Sequence, residues 1–281
     1  MIARSRLVLL ALTGGLLVPV PAISAQSTVR DTAALRDTSI ADRQLFHQSD
    51  LIVAGVFLGG TLALLPLDRH LAEQIRSDNL LNNKSLSSLA STARFFGGPG
   101  PLIIGPGLYV IGRVGHYPHI TELAVHGTEA VLVGAVTAGV IKGLVGRARP
   151  YVTNDSNPHS FGFGRGFSND KYKSFPSGHA TAAFSAAAAV TAETNEWWPA
   201  GRPYVGIVMY GGATLVGLSR MYDDQHWASD VLMGAAVGTF AGLKTVRFNK
   251  THAGNRLDEI LLGVQVTPAP GGGAIGWSAN F

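Results

Sequence analysis

The chain has 281 residues, of which 46% are hydrophobic and only 14% are charged, and it contains no cysteine. This length is ample to bury a core in one large domain or two smaller ones. The composition excludes an intrinsically disordered chain, a disulfide scaffold, cysteine-ligated metal sites and thiol catalysis. The formal net charge of +4 is modest and the sequence has no run of basic residues, so nothing points to nucleic acid as a partner.

The N-terminus has the three parts of a secretory signal peptide over residues 1–25. Arg4 and Arg6 precede a short apolar run, and small residues follow up to Ala25. The run is short for a membrane core of about 30 Å, so cleavage is favoured over a first membrane helix. Residues 26–49 are polar and mixed in charge, which predicts a polar arm.

Residues 50–250 predict an all-α domain, a bundle of about six apolar helices. Segments rich in Ala, Gly, Val and Leu alternate with turn signals such as Tyr-Pro, Trp-Pro and Arg-Pro pairs. The candidate helices cover 51–67, 101–114, 122–146, 178–193, 203–219 and 228–247. Such a density of small residues lets helices approach closely, either in lipid or in a tight soluble bundle.

Two regions depart from the helical pattern. Residues 151–175 are rich in Gly, Asn, Ser and aromatic residues, which predicts a long loop that is either a lid or a passive linker. In the tail, residues 251–281, apolar and polar residues alternate on both sides of a Pro-Ala-Pro-Gly-Gly-Gly run. This alternation predicts a β-hairpin or a loose appended tail.

Three polar blocks interrupt the apolar helices, and the first lies at the end of the 122–146 segment. Lys142, Arg147 and Arg149 are cations placed where this apolar helix meets the long loop. By itself the block is typical of a solvated helix end, in which long side chains reach out to water.

The second block is Pro-Ser-Gly-His at 176–179, just before an Ala-rich helix. A helix that begins here leaves unpaired backbone N–H groups and its positive dipole end facing outward, which favours an anion. The hydroxyl of Ser177 and the imidazole of His179 would add to such a site. By itself, Ser177 also fits an ordinary N-cap.

The third block contains Arg220, His226 and Asp230. His226 and Asp230 are four residues apart, so on a helix they would share one face and could form a hydrogen bond. A carboxylate on one ring nitrogen makes the other nitrogen a better nucleophile or base, and a guanidinium matches the geometry of phosphate oxygens. Taken together, the three blocks indicate a site that holds and attacks a tetrahedral oxyanion.

These blocks read K-x6-RP, then PSGH, then SR-x5-H-x3-D, with every specified residue present and in order. In this the chain resembles the type 2 phosphatidic acid phosphatase and vanadium haloperoxidase superfamily. The resemblance implies a phosphatase that needs no metal and no cofactor and works through a phosphohistidine. The phosphoryl group would be bound by Lys142, Arg149, Ser177, Gly178 and Arg220. His226 would attack phosphorus, Asp230 would orient its ring, and His179 would protonate the leaving oxygen and later activate water.

The expected substrate is a lipid phosphate, a phosphatidate or a prenyl diphosphate, because apolar and aromatic residues flank the blocks. The alternatives are a soluble periplasmic acid phosphatase of broad specificity, a vanadate-dependent haloperoxidase and a non-catalytic envelope protein. We expect an exported, membrane-associated protein with a periplasm-facing site, although three full spans before Lys142 would place the site inside if the signal peptide is cleaved. His116, His119 and His126 lack the carboxylates of a metal site and are interpreted as interfacial loop residues.

Overall fold

The computed structural model describes residues 8–10, 44–154, 156–252, 256–269 and 272–277. The predicted signal peptide and polar arm lie largely outside the described residues. For the part that is described, the all-α prediction is confirmed. The helices are α1 (Gln48–Leu64), α2 (Asp68–Ile75), α3 (Asp78–Leu81), α4 (Lys84–Gly97), α5 (Gly100–Val114), α6 (Pro118–Val145), α7 (Arg165–Ser168), α8 (Gly178–Trp197), α9 (Arg202–Tyr222), α10 (Ala228–Thr251) and α11 (Arg256–Gly263).

The six predicted apolar helices correspond to α1, α5, α6, α8, α9 and α10, with ends that differ by a few residues. α9 continues past its apolar pattern to Tyr222, which places Arg220 in its last turn. α6 begins at Pro118 rather than at residue 122, because proline is well suited to the first turn of a helix.

α8 lies at the centre of the bundle and contacts α6, α9 and α10. Its Ala-rich sequence and a stripe of glycines on α10 let the two backbones approach closely. A Cβ atom at Gly234, Gly238 or Gly242 would clash with the backbone carbonyl of Ser177, the N-cap of α8, or with carbonyls of α8 itself. These glycines follow one another at intervals of one helical turn, so a larger side chain at any of them would push α10 away from α8.

Within the described residues, three helical segments are long and apolar enough to cross a membrane: Gln48–Ile75, Pro118–Val152 and Ala228–Thr251. α4 and α5 form a fourth candidate when taken together, with a bend of 59° between them. Large apolar side chains face outward, as Leu51 and Val56 of α1 do. Such faces are unfavourable in water and suited to lipid, so the membrane association expected from the sequence is supported.

Two strands of the tail, β2 (Val264–Ala269) and β3 (Gly272–Trp277), form a small antiparallel sheet with the N-terminal strand β1 (Val8–Leu10), in the order β1-β3-β2. β2 and β3 pair as in the predicted hairpin. β1 lies in the segment predicted to be a signal peptide and pairs with the other edge of β3. The removal of residues 1–25 stays a prediction.

Candidate active site

Four helix ends meet at one end of the bundle and bring the three polar blocks together. Lys142 lies in the last turn of α6, and Ser177 caps the start of α8. Arg220 lies in the last turn of α9, and Asp230 lies in the first turn of α10. The antiparallel arrangement of these helices gathers residues that are far apart in the sequence.

The first and second blocks are in contact. Nζ of Lys142 donates to the backbone carbonyl of Pro176, and a Cβ at Gly178 would lie 3.4 Å from Cε of Lys142. The hydroxyl of Ser177 accepts from the N–H of Ala180 at 3.4 Å, as an N-cap does. The lysine therefore lies beside the N-terminus of α8, where backbone N–H groups favour an anion.

The third block meets both of the others. Nη1 of Arg149 donates to the side chain of Gln225 at 2.6 Å, and the N–H of Ser177 donates to the carbonyl of Asp230 at 2.9 Å. Arg220 is buried in the last turn of α9. All the residues predicted for the site lie at this end of the bundle, and the role of each in catalysis or phosphate binding stays a prediction.

His226 is buried, and a backbone carbonyl sets the orientation of its ring. Nδ1 donates to the carbonyl of Ser174 at 2.7 Å, whereas Oδ2 of Asp230 is 3.8 Å from the same atom. The close His226–Asp230 bond expected from helical spacing is not formed, because α10 begins only at Ala228 and His226 precedes it. Since a carbonyl only accepts, Nδ1 carries the proton and Nε2 keeps a free lone pair.

Asp230 supports His226 through other groups. Its Oδ2 accepts hydrogen bonds from the hydroxyl of Ser174 at 2.5 Å and from the N–H of Trp227 at 2.9 Å. Ser174 thus offers its carbonyl to His226 and its hydroxyl to Asp230. Through these bonds, the carboxylate holds the turn that carries the histidine, from a position where the helix dipole favours negative charge.

Arg147, which the sequence placed in a block typical of a solvated helix end, is instead fully buried. Its guanidinium donates to Oδ1 of Asp230 at 2.5 Å, to Oγ of Ser229 at 2.7 Å and to Oδ2 of Asp68 at 2.7 Å. The chain leaves α6 through the left-handed Gly146 (φ 57°) and turns the arginine inward. Removing one partner of such a buried ion pair costs about 3–5 kcal/mol, because the other charge is left uncompensated.

Sequence reasoning missed three residues of this network, namely Asp68, Ser174 and Ser229. Asp68 follows an apolar stretch and resembles a boundary residue, and no motif marks Ser174 within the loop. One signal was available for Asp68, because a carboxylate directly after an apolar run must find a partner if it is buried.

Burial and the surrounding cations keep both histidines neutral. Burial lowers the pKa of His226 to about 3, against the opposing effect of Asp230. Burial first, and then the charge of Arg220, lower the pKa of His179 to about 4. The other cations that contribute at His179 are Lys142, Arg149 and Arg94. A neutral His226 is nucleophilic, and His179 takes up a proton more readily when an anion offsets these cations.

The loop after α6 contributes a wall of the site. The N–H groups of Ala148 and Arg149 donate to the carbonyls of Ser160 and Lys171, at 2.8 and 3.0 Å. Phe163, on the outer side, is 87% exposed. These backbone hydrogen bonds hold the inner part of the loop against the first block. The loop also supplies the Ser174 carbonyl that orients His226.

The structure corrects the interpretation of His126 as an interfacial loop residue. His126 lies buried inside α6, with Nδ1 2.5 Å from Oε1 of Glu193, and is not a loop residue because α6 begins at Pro118. His119 lies in the first turn of α6 and stacks on Trp197. Among the described residues, no group of three or more His, Asp or Glu side chains could hold a metal ion.

An apolar cavity of about 560 Å³ lies among α4, α5, α6, α8 and α9. Its lining includes Ala183, one helical turn after His179, and Val216, one turn before Arg220. Gly97 of α4 lies between the cavity and the site, since a Cβ there would meet both Val216 and His179. The size and lining of this cavity suit a hydrocarbon chain next to the polar site.

The PAP2 superfamily model matches residues 124–253. Two curated relatives are both named lipid A 1-phosphatase. The protein from Porphyromonas gingivalis is 41% identical over 69 residues, which make up 25% of this chain and 15% of that protein. The protein from Rhizobium johnstonii is 32% identical over 117 residues, 41% of this chain and 43% of that protein. The chain thus matches less than half the length of either relative.

Two solved structures are similar at a lower level. One is the crystal structure of a transmembrane PAP2-type phosphatidylglycerolphosphate phosphatase from Bacillus subtilis, with a TM-score of 0.48 and 22% identity over 74% of this chain and 98% of that one. The other is the crystal structure of Aquifex aeolicus LpxE, with a TM-score of 0.46 and 19% identity over 64% of this chain and 94% of that one.

Proposed function

Since the chain belongs to the PAP2 superfamily, we propose that it is a metal-independent phosphatase that hydrolyses a lipid phosphate through a phosphohistidine on His226. The geometry at His226 carries this proposal. The ring is buried and neutral, Nδ1 is committed to the Ser174 carbonyl, and Nε2 keeps its lone pair among cations. A free lone pair beside positive charge is suited to attack an anionic phosphorus centre.

The phosphoryl group is bound by charges and donors from three helix ends. Lys142, Arg149 and Arg220 neutralise the charge on the oxygens, and the start of α8 donates from the backbone N–H of Gly178 and the hydroxyl of Ser177. These cations do the electrostatic work that Mg²⁺ does in many other phosphoryl-transfer enzymes. The proposed reaction therefore has no metal step.

The reaction takes two displacements. In the first, Nε2 of His226 forms a bond to phosphorus while the bond from phosphorus to the leaving oxygen breaks, and His179 gives a proton to that oxygen. In the second, His179 takes a proton from water, the water oxygen attacks phosphorus, and the phosphorus–nitrogen bond breaks to release phosphate. Asp230 and the carbonyl of Ser174 hold the ring of His226 through both.

The apolar cavity supports a lipid as the carrier of the phosphate. Hydrophobic walls bind a hydrocarbon chain but discriminate poorly between polar molecules, so a sugar or nucleotide would find few partners there. The two curated relatives are named for action on lipid A, which is also a lipid phosphate. The lining of this cavity reaches Val216, one helical turn before Arg220, so a hydrocarbon chain in the cavity and a phosphate at Arg220 can belong to one lipid.

We propose that the enzyme lies in the cell envelope with its site facing the periplasm. This orientation requires that residues 1–25 are not a simple cleaved signal, or that one of the candidate spans before Lys142 does not cross the membrane. The basic, apolar and small-residue parts of the N-terminus support export. The apolar outer faces of the candidate spans support residence in a membrane.

We expect kcat/KM to be at least about tenfold higher for a long-chain phosphatidate or prenyl diphosphate in mixed micelles than for a sugar phosphate. Each CH₂ group buried in the cavity contributes about 0.8 kcal/mol to binding. Ala213→Phe, which fills part of the cavity, should remove this preference and leave hydrolysis of a water-soluble monoester unchanged. Val136→Phe, on the exposed face of α6, is the matched control.

The same kinetics separate the alternatives when they are run in excess chelator. Equal or better efficiency on the sugar phosphate would favour a soluble acid phosphatase of broad specificity. Loss of activity in chelator that Mg²⁺ restores would overturn metal independence. Oxidation of bromide by peroxide in the presence of vanadate would favour the haloperoxidase reaction instead.

The pH dependence of the reaction follows from the environment of His179. In the free protein this residue is protonated only at acidic pH, because burial and four cations lower its pKa to about 4. A bound phosphate anion offsets the cations and raises that pKa. We therefore expect the falling limb of kcat to lie at higher pH than the falling limb of kcat/KM. Arg94→Ala removes one of the cations and should move the kcat/KM limb to higher pH, whereas coincident limbs would contradict the assignment of His179 as the acid.

A further inference from the structure

Asp68 lies on α2, before the residues that the family model matches, and yet it is bonded to the active-site end of α10. Its Oδ1 accepts from the N–H of Ser229 at 2.9 Å, and its Oδ2 accepts from the hydroxyl of Ser229 at 2.5 Å. The same Oδ2 accepts from Nη2 of Arg147 at 2.7 Å. All three side chains are fully buried.

The segment from Asp68 to Leu81 also contacts the end of α9 and the turn that leads to α10 at two further points. Arg76, at the end of α2, forms an ion pair with Asp224. The hydroxyl of Tyr222 donates to the carbonyl of Leu81 at 3.3 Å. The segment is therefore packed along the turn that leads from α9 to α10, and Asp68 is its buried contact with that turn.

We propose that Asp68 is a positioning residue of the active site, which acts through Arg147 and Ser229 on Asp230 and so on His226. The proposal rests on the proposed phosphatase function. Asp68 does not touch the reacting atoms in this arrangement.

The chain of contacts gives the physical reason. Arg147 lies between two carboxylates, with Nη2 on Asp68 and Nη1 on Asp230, so its single positive charge is shared by two negative charges. Without the charge of Asp68, the guanidinium would be compensated by Asp230 alone and drawn toward it. Asp230 would then hold Ser174 less firmly, and less negative charge would be left to stabilise the cationic ring that phosphorylation creates on His226.

Asp68→Asn tests the proposal, because the amide keeps the size and an acceptor oxygen for the N–H of Ser229 and removes the charge. We expect kcat to fall by about 10–100-fold, as for other groups that orient a catalytic ligand, while KM stays within about twofold. Glu73→Gln is the matched control, because Glu73 lies on the same helix and its exposed side chain pairs only with Arg69 in the described contacts. This control should retain full activity.

A double-mutant cycle separates positioning from a general structural effect. If Asp68 acts through Asp230, the loss in Asp68→Asn/Asp230→Asn should be close to that of Asp230→Asn alone. Losses that multiply, an unchanged kcat in Asp68→Asn, or a rise in KM alone would overturn the proposal.

Folding is checked on each variant by thermal melting in detergent. If Asp68→Asn does not fold, Arg147→Lys carries the test, because a single ammonium keeps the positive charge and lacks the fork that bonds Asp68 and Asp230 together. It should lower kcat without raising KM, and an unchanged kcat would refute the proposal. A wild-type chain with no turnover of any phosphate ester would refute the proposed function and this proposal with it. An active wild type with an unaffected Asp68→Asn would refute this proposal alone.

Discussion

Replacement of His226 by alanine is expected to abolish turnover, with a loss in kcat of about 10⁶-fold, the magnitude seen when a catalytic nucleophile is removed. The fold should survive, because the ring makes one hydrogen bond, to the Ser174 carbonyl, and it lies in a turn outside α10. Steady-state assays on a phosphate ester that the wild type hydrolyses measure the loss. His252→Ala, at the exposed far end of α10, is the control and should retain activity.

The intermediate itself can be observed with a substrate whose leaving group needs no protonation, such as p-nitrophenyl phosphate. His179→Ala should then form the phosphoenzyme and fail to hydrolyse it, because no base activates water. Acid-labile phosphate should accumulate on His226 and be absent from the His179→Ala/His226→Ala protein. Near-native turnover in His226→Ala would show that the phosphohistidine mechanism is wrong.

Asp230 contacts His226 less directly than its spacing suggested, and its variant should behave differently from that of His226. Asp230→Asn keeps the nucleophile and degrades its support, so partial activity should remain. The sequence pattern placed the carboxylate directly on the ring. The structure interposes Ser174, since the start of α10 lies two residues beyond His226.

The positions of the apolar helices and of the three blocks were predictable, because both depend on local patterns. Apolar runs bounded by Pro and Gly mark the helices, and the spacing within each block is fixed by short stretches of chain. That the three blocks lie together in the fold could be predicted only from their shared chemistry, because binding one anion needs cations, a helix N-terminus and histidines in one place.

The buried network beneath the site was not predictable in the same way. Arg147 and Asp68 are 79 residues apart, and Ser229 and Asp68 are 161 residues apart. A local sequence pattern cannot predict pairings between residues so far apart. In the sequence, Arg147 also stands between Lys142 and Arg149, in a block whose pattern is typical of a solvent-exposed helix end. Gly97 is a similar case, because the need for a small residue arises from His179 and Val216, which come from two other helices.

The second large effect is expected when Arg220 is replaced. Its guanidinium is buried at the end of α9, with Nη1 2.7 Å from Asp223, so it is held in place before a phosphate arrives. Donors placed in advance around developing charge contribute most in the transition state. We expect Arg220→Ala to lower kcat/KM by about 10²–10³-fold. Arg220→Lys should recover only part of this loss, because an ammonium keeps the charge and lacks the planar pair of donors.

Orthovanadate tests whether that loss occurs in the transition state. Vanadate bonded to His226 reproduces the trigonal-bipyramidal geometry of in-line transfer, and such analogues bind in proportion to transition-state stabilisation. Across the wild type, Arg220→Lys and Arg220→Ala, the inhibition constant for vanadate should therefore rise by the same factor by which kcat/KM falls. Arg165→Ala, which removes an exposed cation that lies over the ring of Tyr172, should change neither quantity. If vanadate affinity followed KM instead, Arg220 would hold the substrate and the transition state equally, and the rate would have to come from the remaining cations.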